Sequence, residues 1–165
     1  MCCLEGESEQ PLEGAGVSTR EERLKEHLRA WFEAAMTSLE KAADGKTRVT
    51  LESCGRACAH HGRFVKHART IRESRRKIDE LLDQLSRQTK GEVVWQRDGD
   101  SIQVVYKRCF CPLRGAGLVQ SSTFCNCSAG WLREVFETAS GRPARVEIHE
   151  TIGRGGPVCK SAVFN

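Results

Sequence analysis

The stretch Val93-Val94-Trp95-Gln96-Arg97-Asp98-Gly99-Asp100-Ser101-Ile102-Gln103-Val104-Val105-Tyr106 decides the fold. Before it, apolar residues recur at helical spacing. After Gly91 the period changes, and Val93, Val94 and Trp95 face Ile102, Val104 and Tyr106 across Asp98-Gly99. β-Branched and aromatic residues on either side of an Asp-Gly pair read as a β-hairpin. Its second strand delivers the chain into Cys109, and Pro112, which cannot donate to a strand ladder, ends it.

Working back from the hairpin, residues 66 to 88 read as one helix with Ile71, Ile78, Leu82 and Leu85 on its buried stripe. Arg69, Arg72, Arg75, Arg76 and Lys77 lie on the opposite face. Ser53 is a candidate cap for a short helix from Cys54 to about His61, closed by Gly62. On that helix Cys54, Cys58 and His61 stand at i, i+4 and i+7 and share a face. A first helix over residues 19 to 43 carries Leu24, Leu28, Trp31, Phe32, Ala35 and Leu39 at helical spacing. Ser18 and Thr19, followed at three residues by Glu21 and Glu22, make an overlapping capping box, and Asp44-Gly45 is the stop. Residues 1 to 17 are acidic and glycine-rich without periodicity, the composition of a disordered tail.

Forward of the hairpin, residues 113 to 124 form a loop rich in glycine and serine. Ser128 then begins a helix with Trp131, Leu132, Val135 and Phe136, stopped by Gly141. A last hairpin places Val146 and Ile148 on one strand, Gly153 to Gly156 in the turn, and Val158 to Phe164, including Cys159, on the other. The expected fold is therefore α+β: N-terminal helices, then hairpin–helix–hairpin forming a small antiparallel sheet. Residues 18–165 read as a single cysteine-rich domain, with a helical half over 18–90 and a hairpin–helix–hairpin half over 91–165.

The chain has 165 residues, 29% of them charged, and a net charge of +4, so it is long enough for an ordinary core and not strongly basic. No run approaches the roughly 20 apolar residues of a membrane span. The N-terminus lacks the basic and apolar parts of a signal peptide, and Cys2 and Cys3 lack the glycine and basic flank that lipid anchoring uses. A cytoplasmic, reduced protein with no membrane attachment is expected, in which internal cysteines serve metal binding or thiol chemistry before disulfides.

Cysteines are where the chemistry concentrates. Cys109-Phe110-Cys111 and Cys125-Asn126-Cys127 are two Cys-x-Cys pairs with thirteen residues between Cys111 and Cys125. Four thiolates complete a tetrahedral site, and soft sulfur ligands favour zinc or an iron–sulfur cluster over magnesium or calcium. Zinc is the expected metal because it tolerates varied loop geometry; an iron–sulfur cluster is the alternative. Cys159 can replace one of the four or back them. Cys54, Cys58 and His61 can add ligands, although the simpler reading packs the two thiols of Cys54 and Cys58 into the core.

A hydrolytic cysteine–histidine pair is the second reading, with Cys159 or Cys125 as nucleophile and His149 or His61 as base. His60, His27 and His67 have no partner legible in sequence. The basic stretch from Arg56 to Lys77 is the third, a nucleic-acid or regulatory surface. Glu73, Asp79, Glu80 and Asp83 interrupt it and no aromatic platform accompanies it, so a solvated helix face is favoured over nucleic acid. Trp95, Tyr106, Phe124 and Trp131 lie near the cysteines in sequence and can wall a pocket or fill a core. Oligomeric state leaves no mark on the sequence.

The string Cys109-x-Cys111-Pro112, Phe124-Cys125-x-Cys127-Ser128-x-Gly130-Trp131, Val146-Glu147-Ile148, Thr151-Ile152, Gly155 and Cys159 is similar to a set of small bacterial and archaeal cysteine-rich proteins. These include the 4-vinyl-reductase-type domain, a zinc- and small-molecule-binding module, and proteins resembling 2-aminothiazoline-4-carboxylate hydrolase. The resemblance spans about residues 91 to 165, with Cys54-Gly55-x-x-Cys58 added. It implies an α+β ligand-binding fold with cysteines beside a pocket or metal, and a small-molecule ligand. If it implies an enzyme, that enzyme is a hydrolase of a C–N or C–S bond, using a thiolate or a metal-bound water.

Overall fold

The computed structural model of the chain describes residues 19–42, 45–75 and 77–165. The acidic tail, Cys2, Cys3, Ser18, Asp44 and Arg76 lie outside the described residues. Four helices come first: α1 (Arg20–Lys41), α2 (Lys46–Ala59), α3 (Phe64–Glu73) and α4 (Ile78–Gln88). The hairpin β1 (Val93–Asp98) and β2 (Ser101–Tyr106) follows, then the single turn α5 (Pro112–Gly115) and the long helix α6 (Cys127–Ser140). Strands β3 (Arg145–Glu150) and β4 (Cys159–Phe164) close the chain. The α+β order expected from the sequence is the order observed.

The four strands form one antiparallel sheet in the order β1-β2-β4-β3, so the last strand inserts at the centre. Alternation along the strands aims Val93, Trp95, Ile102, Val104, Val146 and Val163 to one face, where they pack against the helices. α6 is the centre of that layer; Leu132, Val135 and Phe136 are fully buried beneath α3, α4 and the sheet. Trp95 meets Phe136 and Tyr106, and Phe64 meets Trp131 edge-on. Trp95 is a core residue, and Tyr106 and Trp131 are partly buried and pack against that core.

The capping box of α1 forms: the Glu22 N–H donates to Thr19 Oγ1 and the Thr19 N–H to Glu22 Oε2. Its apolar stripe is less buried than expected. Met36 is the buried residue of α1, while Leu24 and Trp31 are 56% and 60% exposed. α2 starts eight residues before its expected first residue, Cys54, at Lys46. Ser53, expected as a cap, lies inside it and donates its hydroxyl to the Val49 carbonyl, the other bond that a serine in a helix can make.

The expected helix over 66 to 88 is two helices. Ser74, Arg75 and Lys77 lie between them; Arg75 takes a left-handed φ of +53° and Lys77 is extended. The turn is wholly polar in sequence, so nothing anchors a continuous helix there. Breaking it lets Ile71 on α3 and Leu81, Leu82 and Leu85 on α4 reach one core. Gly141, at φ +73°, ends α6 as expected. Asn126, not Ser128, is the residue before α6, and the Ser128 hydroxyl donates to the Cys125 carbonyl.

The helical layer is tied by ions as well as by apolar contact. Arg56 on α2 donates to Glu134 at 2.9 Å and Glu137 at 2.7 Å on α6, and His60 pairs with Glu134 at 2.9 Å. Burial pushes the Glu137 carboxyl up, but hydrogen bonds from Arg56 and the Ala144 N–H outweigh it and hold the group below its ordinary range. A depressed folded-state value gives stability above the unfolded value, lost as pH falls through the folded one. Glu137→Gln is accordingly expected to cost about 1 to 2 kcal/mol at pH 7. The deficit should shrink in urea melts as pH falls below the ordinary carboxylate range and vanish once it is below the depressed folded value; a deficit unchanged with pH would show that charge on Glu137 is irrelevant.

Candidate functional site

Close approach of two helix backbones builds the site. On α2, a Cβ placed on Gly55 would stand 1.8 Å from the Cys127 carbonyl oxygen. On α6, a Cβ placed on Gly130 would stand 1.8 Å from the Glu52 carbonyl oxygen. The two glycines let the helices cross in direct backbone contact, which seats Cys54 and Cys58 beside the first turn of α6. Glu52, buried next to this crossing, is neutralised by Arg133 at 2.5 Å and Arg48 at 2.7 Å.

Four chain segments then bring seven free cysteines to one end of the molecule. Cys127 opens α6 and lies within electrostatic reach of Cys111, Cys125, Cys58 and Cys54. Cys111 neighbours Cys109 and Cys125, and Cys159 neighbours Cys109, Cys125 and Arg114. Cys159 comes to this end because β4 pairs with β2 in the register that sets it opposite Tyr106, three residues before Cys109. The Cys125 sulfur rests against Gly153 of the β3–β4 turn, where a Cβ would meet it at 2.4 Å and Arg114 at 3.1 Å. Each of the four sulfurs named from the Cys-x-Cys pairs is half-buried.

Burial pushes the Cys127 thiol up to about 12, and the thiols of Cys111 and Cys125 act in the same direction. Burial also raises Cys111, although the N–H groups of Arg114 and Leu113 face its sulfur and pull the other way. Cys159 is raised by burial against the Ile152 N–H, which donates to its sulfur at 3.3 Å. In the chain alone these groups are neutral thiols. A bound cation reverses that balance by holding them as thiolates.

The donor chemistry fits a soft metal: sulfurs from separate segments, with N–H groups and the Arg114 guanidinium facing the same region. Among the described residues no group of three or more cysteine, histidine or carboxylate side chains is placed to hold one metal ion.

The family follows from the whole chain rather than from this end of it. Residues 9–164 match a family described as "Family of unknown function (DUF6144)". The chain belongs to that family. No curated protein matches it in sequence. In three dimensions it is similar to the phenol-responsive sensory domain of the transcription activator PoxR, solved with phenol. The TM-score is 0.55 at 15% identity, covering 84% of this chain and 74% of that one. It is also similar to trafficking protein particle complex subunit 3 from Naegleria fowleri, solved covalently bound to palmitic acid. There the TM-score is 0.51 at 14% identity, over 86% of this chain and 95% of that one. These matches show the fold; they do not show the relation to the 4-vinyl-reductase-type domain expected from the motifs.

The remaining candidates are dispersed. Cys54 and Cys58 are exposed, so the expectation that they pack in the core is corrected: Gly55 occupies the buried position between them. His61 lies beyond the end of α2 and is exposed, outside the helical face expected for it. His149 is exposed at the β-bulge of β3 and makes no hydrogen bond to a cysteine among the described residues. Burial shifts Cys159 away from thiolate, the opposite direction from an activated nucleophile.

Arg56, the first residue of the basic stretch, is spent on Glu134 and Glu137 and is not part of an open cationic face. Sequence reasoning missed the helix crossing and the role of Arg114 and Gly153. The crossing had a faint signal, since Gly55 and Gly130 are glycines inside otherwise helical patterns. Arg114 and Gly153 had none, because their meeting depends on α5 and the β3–β4 turn, which lie nearly forty residues apart, coming together in the fold.

Proposed function

We propose that this domain binds or senses a small molecule and that its cysteine end holds zinc. The observation that carries the reading is the convergence of cysteines from α2, the segment after β2, the start of α6 and β4. Cys109, Cys111, Cys125 and Cys127 are assigned as the ligands, with Cys159, Cys54 and Cys58 flanking them. Zinc there supplies a cross-link between the central hairpin, the loop and α6, replacing core that a four-stranded sheet lacks. The likeness in fold to a phenol-responsive sensory domain supports the ligand-binding half of the reading. The motif likeness to the vinyl-reductase-type zinc module supports the other half.

The test is elemental analysis and an absorption spectrum on protein purified without oxygen. About one zinc per chain with no visible colour is the expected result. Iron and sulfide with a brown chromophore would replace zinc by a cluster. Metal-free, fully reduced protein that melts identically with and without a chelator would overturn the metal assignment.

A further inference from the structure

The opposite end of the molecule carries a cleft that the cysteines do not touch. Strand β4 runs from Cys159 at one end to Phe164 at the other, roughly 17 Å away. Around its far end Ile71, Ile78, Ile102, Ala139 and Val163 form the apolar wall of a cavity of about 460 Å³. Arg72, Arg75, Arg97 and Arg142 rim it, and Asp100 is the acidic residue in its lining. That volume is ordinary for a small-ligand pocket.

The charge is not cancelled locally. Arg97 is engaged by Asp79, to which it donates at 3.1 and 3.0 Å. Among the described residues Arg72, Arg75 and Arg142 have no carboxylate partner. The C-termini of α3 and α6 reach this cleft, as does the N-terminus of α4. With about half a charge at each helix end, they leave only about half a negative charge. The side chains outweigh it, with Arg72, Arg75 and Arg142 set against Asp100. Arg72 is also held in place: its guanidinium lies against Gly141, 3.0 Å from where a Cβ would stand. Asn165 braces the wall by donating to Ser140 Oγ at 2.9 Å.

We infer that this cleft is the ligand site and that its ligand is an organic anion, a carboxylate or phosphomonoester head on a compact apolar body. Guanidinium forks match both heads bidentately, and Ile78, the partly exposed isoleucine of the apolar lining, takes the body. The inference rests on the small-molecule reading above and adds where and what the domain binds.

The probes are benzoate, phenyl phosphate and the neutral counterparts benzyl alcohol and phenol, titrated into the full chain as purified and followed by amide shifts at Ile78, Ile102 and Val163. At least one anion is expected to shift these amides and to bind at least about tenfold tighter than either neutral compound. Which anion wins separates a carboxylate from a phosphate ligand. Arg72→Gln with Arg142→Gln should weaken that anion at least about tenfold, while Arg69→Gln, on the same helix but off the cleft, should not. Should the double variant misfold, salt must still weaken the anion in the unaltered protein. Neutral compounds binding as well as anions, or binding only elsewhere, would overturn the anion cleft and leave the small-molecule reading standing. Silence from all four compounds would overturn both.

Discussion

Gly130→Ala is expected to destabilise the protein by about 3 kcal/mol or more, a large share of what holds a domain of this size together. One methyl group on Gly130 would stand 1.8 Å from the Glu52 carbonyl oxygen, 2.5 Å from its carbon and 2.8 Å from Cα. All three are backbone atoms of a helix, so no side chain can rotate aside; α2 must lift off α6. Gly55→Ala makes the reciprocal collision with the Cys127 carbonyl and should cost a similar amount. Alanine is the better helix former by about 1 kcal/mol, which makes a loss at these positions diagnostic of packing. Gly115→Ala is the control, because a Cβ there meets nothing within 4 Å. Urea titrations of the three variants decide the matter. Stability at Gly130→Ala within about 0.5 kcal/mol of the parent would mean that the helices do not cross in backbone contact.

Cys109→Ser combined with Cys127→Ser is expected to abolish metal binding and unfold residues 91–165. Serine oxygen is a poor ligand for a soft metal, and two of four sulfurs would be lost from two different segments. Structural zinc in small domains is worth on the order of 10 kcal/mol, more than the net stability of most domains, so its loss should end cooperative melting of the hairpin half. Cys54→Ser should keep the metal, because Cys54 is exposed and outside the assigned set. The readouts are zinc per chain and amide exchange in β2, α6 and β4. Unchanged melting and unchanged metal in the double variant would refute the assignment.

Local signals were read well where the physics is local. The Asp98-Gly99 turn, the capping box at Thr19, the stop at Gly141 and the β3–β4 hairpin all stand where spacing and turn chemistry put them. Misreadings arose where tertiary contact overrode a local preference. Ser53 is a good cap residue, yet α2 runs through it because Leu51, Glu52 and Gly55 are held against α6. Ile71, Ile78, Leu82 and Leu85 keep one helical period, yet the chain breaks between Glu73 and Ile78, where Arg75 takes a left-handed φ.

The sequence by itself determined that this is an α+β chain with paired cysteines near a central hairpin, since alternation, helical period and turn residues act over a few positions. Only the tertiary structure decided that Cys54, Cys58 and Cys159 join those pairs, because that rests on two glycines meeting across helices and on β4 inserting beside β2. It also decided that Arg72, Arg75 and Arg142 gather over an apolar cleft while Arg56 is consumed by Glu134 and Glu137. Charge in sequence carries no record of its partner; burial and proximity assign that partner once the chain has folded.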